Sequence, residues 1–333
     1  MELPTKEQRL RILRSMILVR AFEDRITAIV QGGDRVPGIQ ILATGQEAAV
    51  AAVHALGEQD VLVSNHRSHA HILARGADPR TLMAEIMGKA TGVNGGRSGT
   101  LHLIVPAVRA LMTSTVVGAG PPMAVGAAFA QQYRNEGTIT AVFFGDGAAA
   151  EGSVHEAMNL AAVWKLPILF VCENNRWAGA QSVQVHCPGG EIVPRAASYG
   201  MSSEAVDGND ADAVYLATAR LAAPARQGNG PSLLELMTYR MHGHSEADGQ
   251  LYVDPQELEE WAGRDPIQRY VARLLDEGIC LPPEIEAFRE TAAATVNESV
   301  AFAENSPDPL PEAALEHVWS WSSSPGASSG GGG

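Results

Sequence analysis

The sequence predicts an α/β fold, a mostly parallel sheet flanked by helices, and three observations lead there. The apolar run Ile139 to Phe144 breaks at Gly145-Asp146-Gly147, a helical segment follows, and a second apolar run, Leu166 to Cys172, stops at Glu173-Asn174-Asn175. Strands joined in this way lie parallel, so both loops leave one carboxyl edge, where open α/β sheets bind ligands. A third strand, Pro231 to Tyr239, delivers Arg240-Met241-His242-Gly243-His244-Ser245 to the same edge. Finally, 333 residues that are 45% hydrophobic and 19% charged suffice for one large core.

The elements follow in order. Residues 5–31 carry Leu10, Leu13, Ile17, Val19, Phe22 and Ile26 near a 3.6-residue repeat, which predicts an amphipathic helix with a Thr5/Gln8 capping box. Gly45-Gln46-Glu47 opens an alanine-rich helix to about Leu56, and Asp60 to Ser64 reads as a short buried strand. Residues 88–120 alternate glycine with small and polar residues, as either a flexible loop or backbone wrapped around a ligand does. Pro121 to Tyr133 is a helix with proline in its first turn. The segment after Asn175 reads as a loop to about Gly190, Ser198 to Ala205 as helical or irregular, and Val206 to Asp210 as a strand end leading to a helix. Asp210 is the expected N-cap of a helix over Ala211 to Ala222. Two surface helices are expected over residues 255–280 and 283–304.

Asp146 and Asn175, far apart in sequence, should meet at the sheet edge. A carboxylate and an amide oxygen beside glycine turns suit Mg²⁺, which takes oxygen ligands and shares them with phosphate. A backbone carbonyl near Trp177 is a third candidate ligand. Gly145 and Gly147 would let the main chain approach a diphosphate. Arg67, in the histidine-rich run His66-Arg67-Ser68-His69-Ala70-His71, can donate two hydrogen bonds to phosphate. His69 and His71 are expected to face a substrate channel.

These motifs resemble the thiamine-diphosphate motif, and GDGAAAEGSVHEAMNLAAVWKLPILFVCENN looks like the α subunit of 2-oxo acid dehydrogenase E1 components. Gly45-Gln46-Glu47-Ala48, residues 88–102, 116–120, 239–245, 259–267 and 304–315 continue the likeness, from about residue 5 to 320. The resemblance implies a thiamine-diphosphate-binding fold, with residues 1–321 as one diphosphate-binding domain and 322–333 as a disordered Ser/Gly-rich tail. It implies that His66, Arg67, Val117, Gly145, Asp146, Gly147, Ala148, Asn175, Trp177 and His244 hold thiamine diphosphate. Asp146, Asn175 and Trp177 would hold Mg²⁺, and His244, His242 and His69 would serve the chemistry, His242 by supporting its loop.

The function so implied is cleavage of a 2-oxo acid or a related ketone such as acetoin. The two-carbon or acyl unit then passes to a lipoyl or carrier-protein thiol. The chain matches only the diphosphate half of such an active site, so a β-type subunit supplying a glutamate is expected, in an α₂β₂ assembly. Substrate-facing positions depart from the family: Ile41 replaces a histidine, Ala150 an asparagine, and Met112 to Thr115 and Leu251 to Val253 differ in wording. These departures point to an altered donor or acceptor. The alternative is transketolase-like transfer of a ketol unit from a ketose phosphate, with the histidines of residues 66–71 meeting a polar donor. Intact Asp146, Asn175 and His244 speak against a non-catalytic scaffold.

A net charge of −14 disfavours nucleic acid. Cys172, Cys187 and Cys280 lack CxxC spacing and read as reduced thiols. The first sixteen residues have no signal-peptide core, and no apolar run reaches the roughly 18 residues of a membrane span. A soluble, cytoplasmic protein is expected.

Overall fold

A computed structural model describes residues 3–33 and 36–316 of the chain. Helix α1 (Lys6–Gln31) starts at the expected capping box, in which Thr5 N donates to Gln8 Oε1 at 2.8 Å and Gln8 N to Thr5 Oγ1 at 3.3 Å. Its apolar stripe, from Ile12 to Ile29, is buried. The alanine-rich segment begins as a 3-10 turn, Glu47–Ala49, before α2 (Val50–Ala55). Glu47 causes the tight start, because its buried carboxylate turns back to accept from Gly45 N at 3.0 Å and pairs with Arg20.

Strand β1 (Val61–Asn65) leads to α3 (His69–Ala74) and α4 (Pro79–Ile86), and then to β2 (Ala110–Ser114). Helix α5 (Gly120–Arg134), β3 (Thr140–Gly145), α6 (Gly152–Val163) and β4 (Ile168–Asn174) form the central βαβ region. The presumed loop after Asn175 contains a two-residue hairpin, β5 (Trp177–Ala178) with β6 (Gln181–Ser182), and a single turn, α7 (Val183–His186). Strand β7 (Ser202–Asp207), α8 (Ala211–Arg226) and β8 (Ser232–Met237) follow. Helices α9 (Pro255–Ala262), α10 (Pro266–Asp276) and α11 (Pro282–Glu304) follow, and a 3-10 turn, Pro311–Leu315, ends the described chain.

All six main strands are parallel, in the order β2-β1-β3-β4-β8-β7. Helices cover both faces, which explains why the strands read as continuous apolar runs. Successive residues of β3 still alternate: Ala141 and Phe143 join the core that includes α1, α8 and α11, while Val142 and Phe144 join that of α5 and α6. Among the described residues no helix is long and apolar enough to cross a membrane.

Two expectations need correction. Ser202 to Ala205 is strand, not helical or irregular, and runs into the expected strand end at Val206-Asp207, so that β7 spans Ser202–Asp207. It lies on the sheet edge with little buried apolar surface, and its pairing with β8 (Ser202 opposite Ser232, Val206 opposite Leu236) defines it rather than side-chain pattern. Residues 255–280 form two helices. Asp265 caps α10 by accepting from Gln268 N at 2.9 Å, with Pro266 in its first turn, so the chain restarts there. The tail from residue 322 lies outside the described residues.

From β1 the chain runs outward to β2, then returns past β1 to β3 and on to β4. The connections after β1 and β3 therefore diverge, leaving a crevice beyond the carboxyl ends of the two strands.

Candidate active site

The crevice is a cavity of about 450 Å³ lined from five strand ends: His66 and Arg67 after β1, Val117 after β2, Asp146 after β3, Asn175 after β4 and His244 after β8. The register explains the meeting of Asp146 and Asn175. Gly145 stands opposite Glu173, so the next residues of both strands emerge together. Gly147, Ala148 and Trp177 line the same cavity.

Local hydrogen bonds hold this rim. Asn175 Nδ2 donates to Gln46 Oε1 at 3.0 Å, and its Oδ1 accepts from Trp177 N at 3.1 Å. The Trp177 indole donates to Tyr239 Oη at 3.2 Å. Gly147 is needed for close approach, because a Cβ there would stand 2.7 Å from Ala178 Cβ in the hairpin. Gly145 is different: an added Cβ would meet only Glu173 O, at 3.9 Å. The buried Arg240 ties three segments together, donating to His242 O at 3.1 Å, Gly179 O at 2.8 Å and Tyr252 Oη at 2.5 Å. Asp248 accepts from His244 N at 2.7 Å. The Tyr252 hydroxyl, followed by the His244 and Gln250 amides, holds the Asp248 carboxyl down at about 2.

The electrostatics separate into two poles. Arg67 is buried and donates to His244 O at 3.1 Å, but no carboxylate pairs with it among the described residues. Burial, then the Arg240 guanidinium, lowers its pKa to about 10. Burial, followed by Arg67, His244 and Arg240, pushes His66 down to about 3. The His244 ring reaches the surface, yet the protein around it, Arg67 and Arg240 hold it below the ordinary histidine value. The positive charge of this pole is that of Arg67, with the buried Arg240 behind it, while both imidazoles stay neutral near pH 7. Opposite stands Asp146, 1% exposed, whose Oδ2 has no hydrogen-bond partner among the described residues. His186 Nε2 is 3.2 Å from that oxygen but out of line for a hydrogen bond, so neither atom is satisfied. Unpaired buried polar groups cost about 1–3 kcal/mol each. One pole calls for an anion and the other for a cation, and a metal-bound diphosphate offers both.

The family model described as "Dehydrogenase E1 component" matches residues 14–312. The chain belongs to that family. It is 37% identical over 316 residues to the α subunit of acetoin:2,6-dichlorophenolindophenol oxidoreductase of Cupriavidus necator, covering 94% of this chain and 95% of that one. The Bacillus subtilis protein of the same name is 37% identical over 317 residues, covering 95% of this chain and 94% of its own. The pyruvate dehydrogenase E1 component subunit α of Rhizobium meliloti is 36% identical over 307 residues, covering 92% of this chain and 88% of its own. This E1 chain is thus an α-type component, and membership of the family implies thiamine diphosphate.

Not every residue expected at the E1 site is there. His69 is fully buried on α3, where Nδ1 lies 3.1 Å from Glu23 Oε1 and Nε2 meets the Thr100 hydroxyl, so it cannot face a substrate channel. His71 is also fully buried, with Nδ1 2.8 Å from Ser64 Oγ. The helix that follows β1 turns both rings into the core. His242 does not line the cavity: its ring is exposed and its carbonyl accepts from Arg240. Ile41 is 5% exposed and lies off the cavity wall. Without His69 and His71, the ketose-phosphate alternative keeps only His66 of the three histidines that motivated it.

Sequence reasoning did not single out Gln46, which steadies Asn175, or His186, which stands over Asp146. The signal for His186 was its place in the segment after the Asn175 loop, hidden because that stretch reads as plain loop.

Proposed function

We propose that this E1 α-type chain forms the diphosphate half of a thiamine-diphosphate active site that cleaves a 2-oxo acid or a related ketone such as acetoin. One observation carries the reading: the paired poles of the cavity, with Asp146 Oδ2 unsatisfied on one side and Arg67, His66 and His244 gathered on the other. Arg67 and His244 would bind the diphosphate, with His66 beside them. Asp146, the Asn175 amide oxygen and the Trp177 carbonyl would hold a divalent cation such as Mg²⁺ against it. Bound there, thiamine diphosphate supplies a nucleophilic thiazolium carbon and an electron sink. The residues of this chain fix its anionic end and leave the reacting end to a second module.

A β-type subunit provides that module in an α₂β₂ assembly, and a lipoyl or carrier-protein thiol accepts the acyl unit. Residues 1–321 act as one diphosphate-binding domain. The divergent Ala150, in the cavity wall, fits an altered donor or acceptor, and the cytoplasm is the location this reading favours. The test is to reconstitute the chain with its β-type partner, thiamine diphosphate and Mg²⁺, and supply pyruvate, acetoin, branched 2-oxo acids and ketose phosphates. Carrier acylation read by mass spectrometry should appear with a 2-oxo acid or acetoin and require both subunits. Turnover of ketose phosphates alone, or full activity of the isolated chain, would overturn the assignment.

A further inference from the structure

The turn α7 is pinned from both sides. Val183 N donates to Arg176 O at 2.8 Å, beside the Asn175 loop. Beyond α7, the buried Glu235 carboxylate of β8 accepts from Ile192 N at 2.8 Å and Val193 N at 2.7 Å, and Asn174 Nδ2 donates to Gly190 O at 2.8 Å. These buried anchors hold His186 in the cavity wall with its side chain 13% exposed.

Neither ring nitrogen of His186 has a hydrogen-bond partner among the described residues, and Asp146 Oδ2 has none either. The Nε2 to Oδ2 distance is 3.2 Å. Two ligands at about 2.1 Å and at right angles on one octahedral ion lie about 3 Å apart. The two atoms are therefore spaced like neighbouring ligands of one cation and misaligned as partners of each other.

Resting on the reading of the cavity given above, we infer that His186 Nε2 is a protein ligand to the cation held by Asp146, making this a mixed nitrogen and oxygen site. Among the described residues no three His, Cys, Asp or Glu side chains converge as a metal cluster, so Asp146 and His186 would be the only ligands of those types. The Asn175 amide, the Trp177 carbonyl and diphosphate oxygens complete the set. The neutral imidazole tautomer with its proton on Nδ1 presents the Nε2 lone pair to the ion. An imidazole ligand shifts preference away from Mg²⁺, which favours oxygen, toward first-row transition dications such as Mn²⁺ and Co²⁺.

Pulsed paramagnetic resonance of the chain assembled with its β-type partner, Mn²⁺ and thiamine diphosphate tests this. Couplings to phosphorus should appear together with an imidazole nitrogen coupling that changes on ¹⁵N-histidine labelling and vanishes in His186→Gln. In the same variant the preference for Mn²⁺ over Mg²⁺ should fall by about tenfold. Phosphorus couplings without a histidine nitrogen coupling in the unsubstituted protein, or a nitrogen coupling that survives His186→Gln, would overturn the inference and leave the diphosphate site standing. No Mn²⁺ bound beside phosphorus would remove that site and the inference with it.

Discussion

Asp60 and Asp146 are both buried carboxylates on one sheet, at opposite ends of its strands. Asp60 precedes β1 at the amino edge, and four donors satisfy it: Gly57 N at 2.7 Å, Ile139 N at 3.0 Å, and Arg226 through Nη1 and Nη2 at 2.7 and 2.6 Å. Asp146 follows β3 at the carboxyl edge and keeps one oxygen unpaired. The amino edge is closed and serves the fold. The carboxyl edge carries unspent polar capacity, and that capacity marks the working end of the molecule.

The largest effects should come from exchanging these roles. Asp60→Ala strands a partly buried guanidinium and a strand amide, and should cost about 3 kcal/mol in urea denaturation. Asp146→Ala should leave the denaturation midpoint unchanged or raised while weakening thiamine diphosphate binding to the assembled enzyme by about 100-fold. A destabilised Asp146 variant with normal cofactor affinity would erase the contrast.

Arg67→Met tests the opposite pole. Removing a charge-assisted hydrogen bond worth about 1.5–3 kcal/mol should weaken cofactor binding at least about tenfold, as calorimetry would show. Unaltered affinity would mean that the Arg67 guanidinium serves folding alone.

A smaller effect lies in pH. His66 in the free cavity sits at about 3, and His244 is also lowered. A bound diphosphate raises both values, so between about 3 and the ordinary value of about 6.5 the complex holds protons that the free protein does not. Affinity should then rise as pH falls through that window, with proton uptake visible as a buffer-dependent binding enthalpy. A buffer-independent enthalpy would contradict this.

The smallest effect concerns stability alone. Burial, followed by Arg11, lowers His54 to about 4. Between about 6.5 and 4 the unfolded chain binds a proton at this histidine that the folded chain does not, so stability falls as pH falls through that range. His54→Gln should flatten that slope in denaturant titrations without changing cofactor affinity; an unchanged slope would exclude His54 as its source.

The sequence made the closed parts of this molecule legible where local chemistry dictates structure. The Thr5 cap, the Asp210 cap and the apolar runs of β3 and β4 follow from side chains within a few residues. The meeting of Asp146 with Asn175 was legible for a similar reason, since parallel register follows from the βαβ unit. The first part of strand β7, Ser202 to Ala205, was not, because its identity comes from backbone pairing with β8, which is later in the chain. His69 and His71 were misread because helical phase, set by α3, decides whether a ring faces cavity or core. His186 was invisible because contacts between separate segments, the Glu235 clamp among them, bring it to Asp146.

The most direct test of the account is a structure of the α chain with its β-type partner, thiamine diphosphate and a divalent cation. The cation should touch Asp146 and Asn175, and the diphosphate should lie within hydrogen-bonding distance of Arg67 and His244. A coenzyme seated elsewhere, with Asp146 Oδ2 still unpaired, would contradict it.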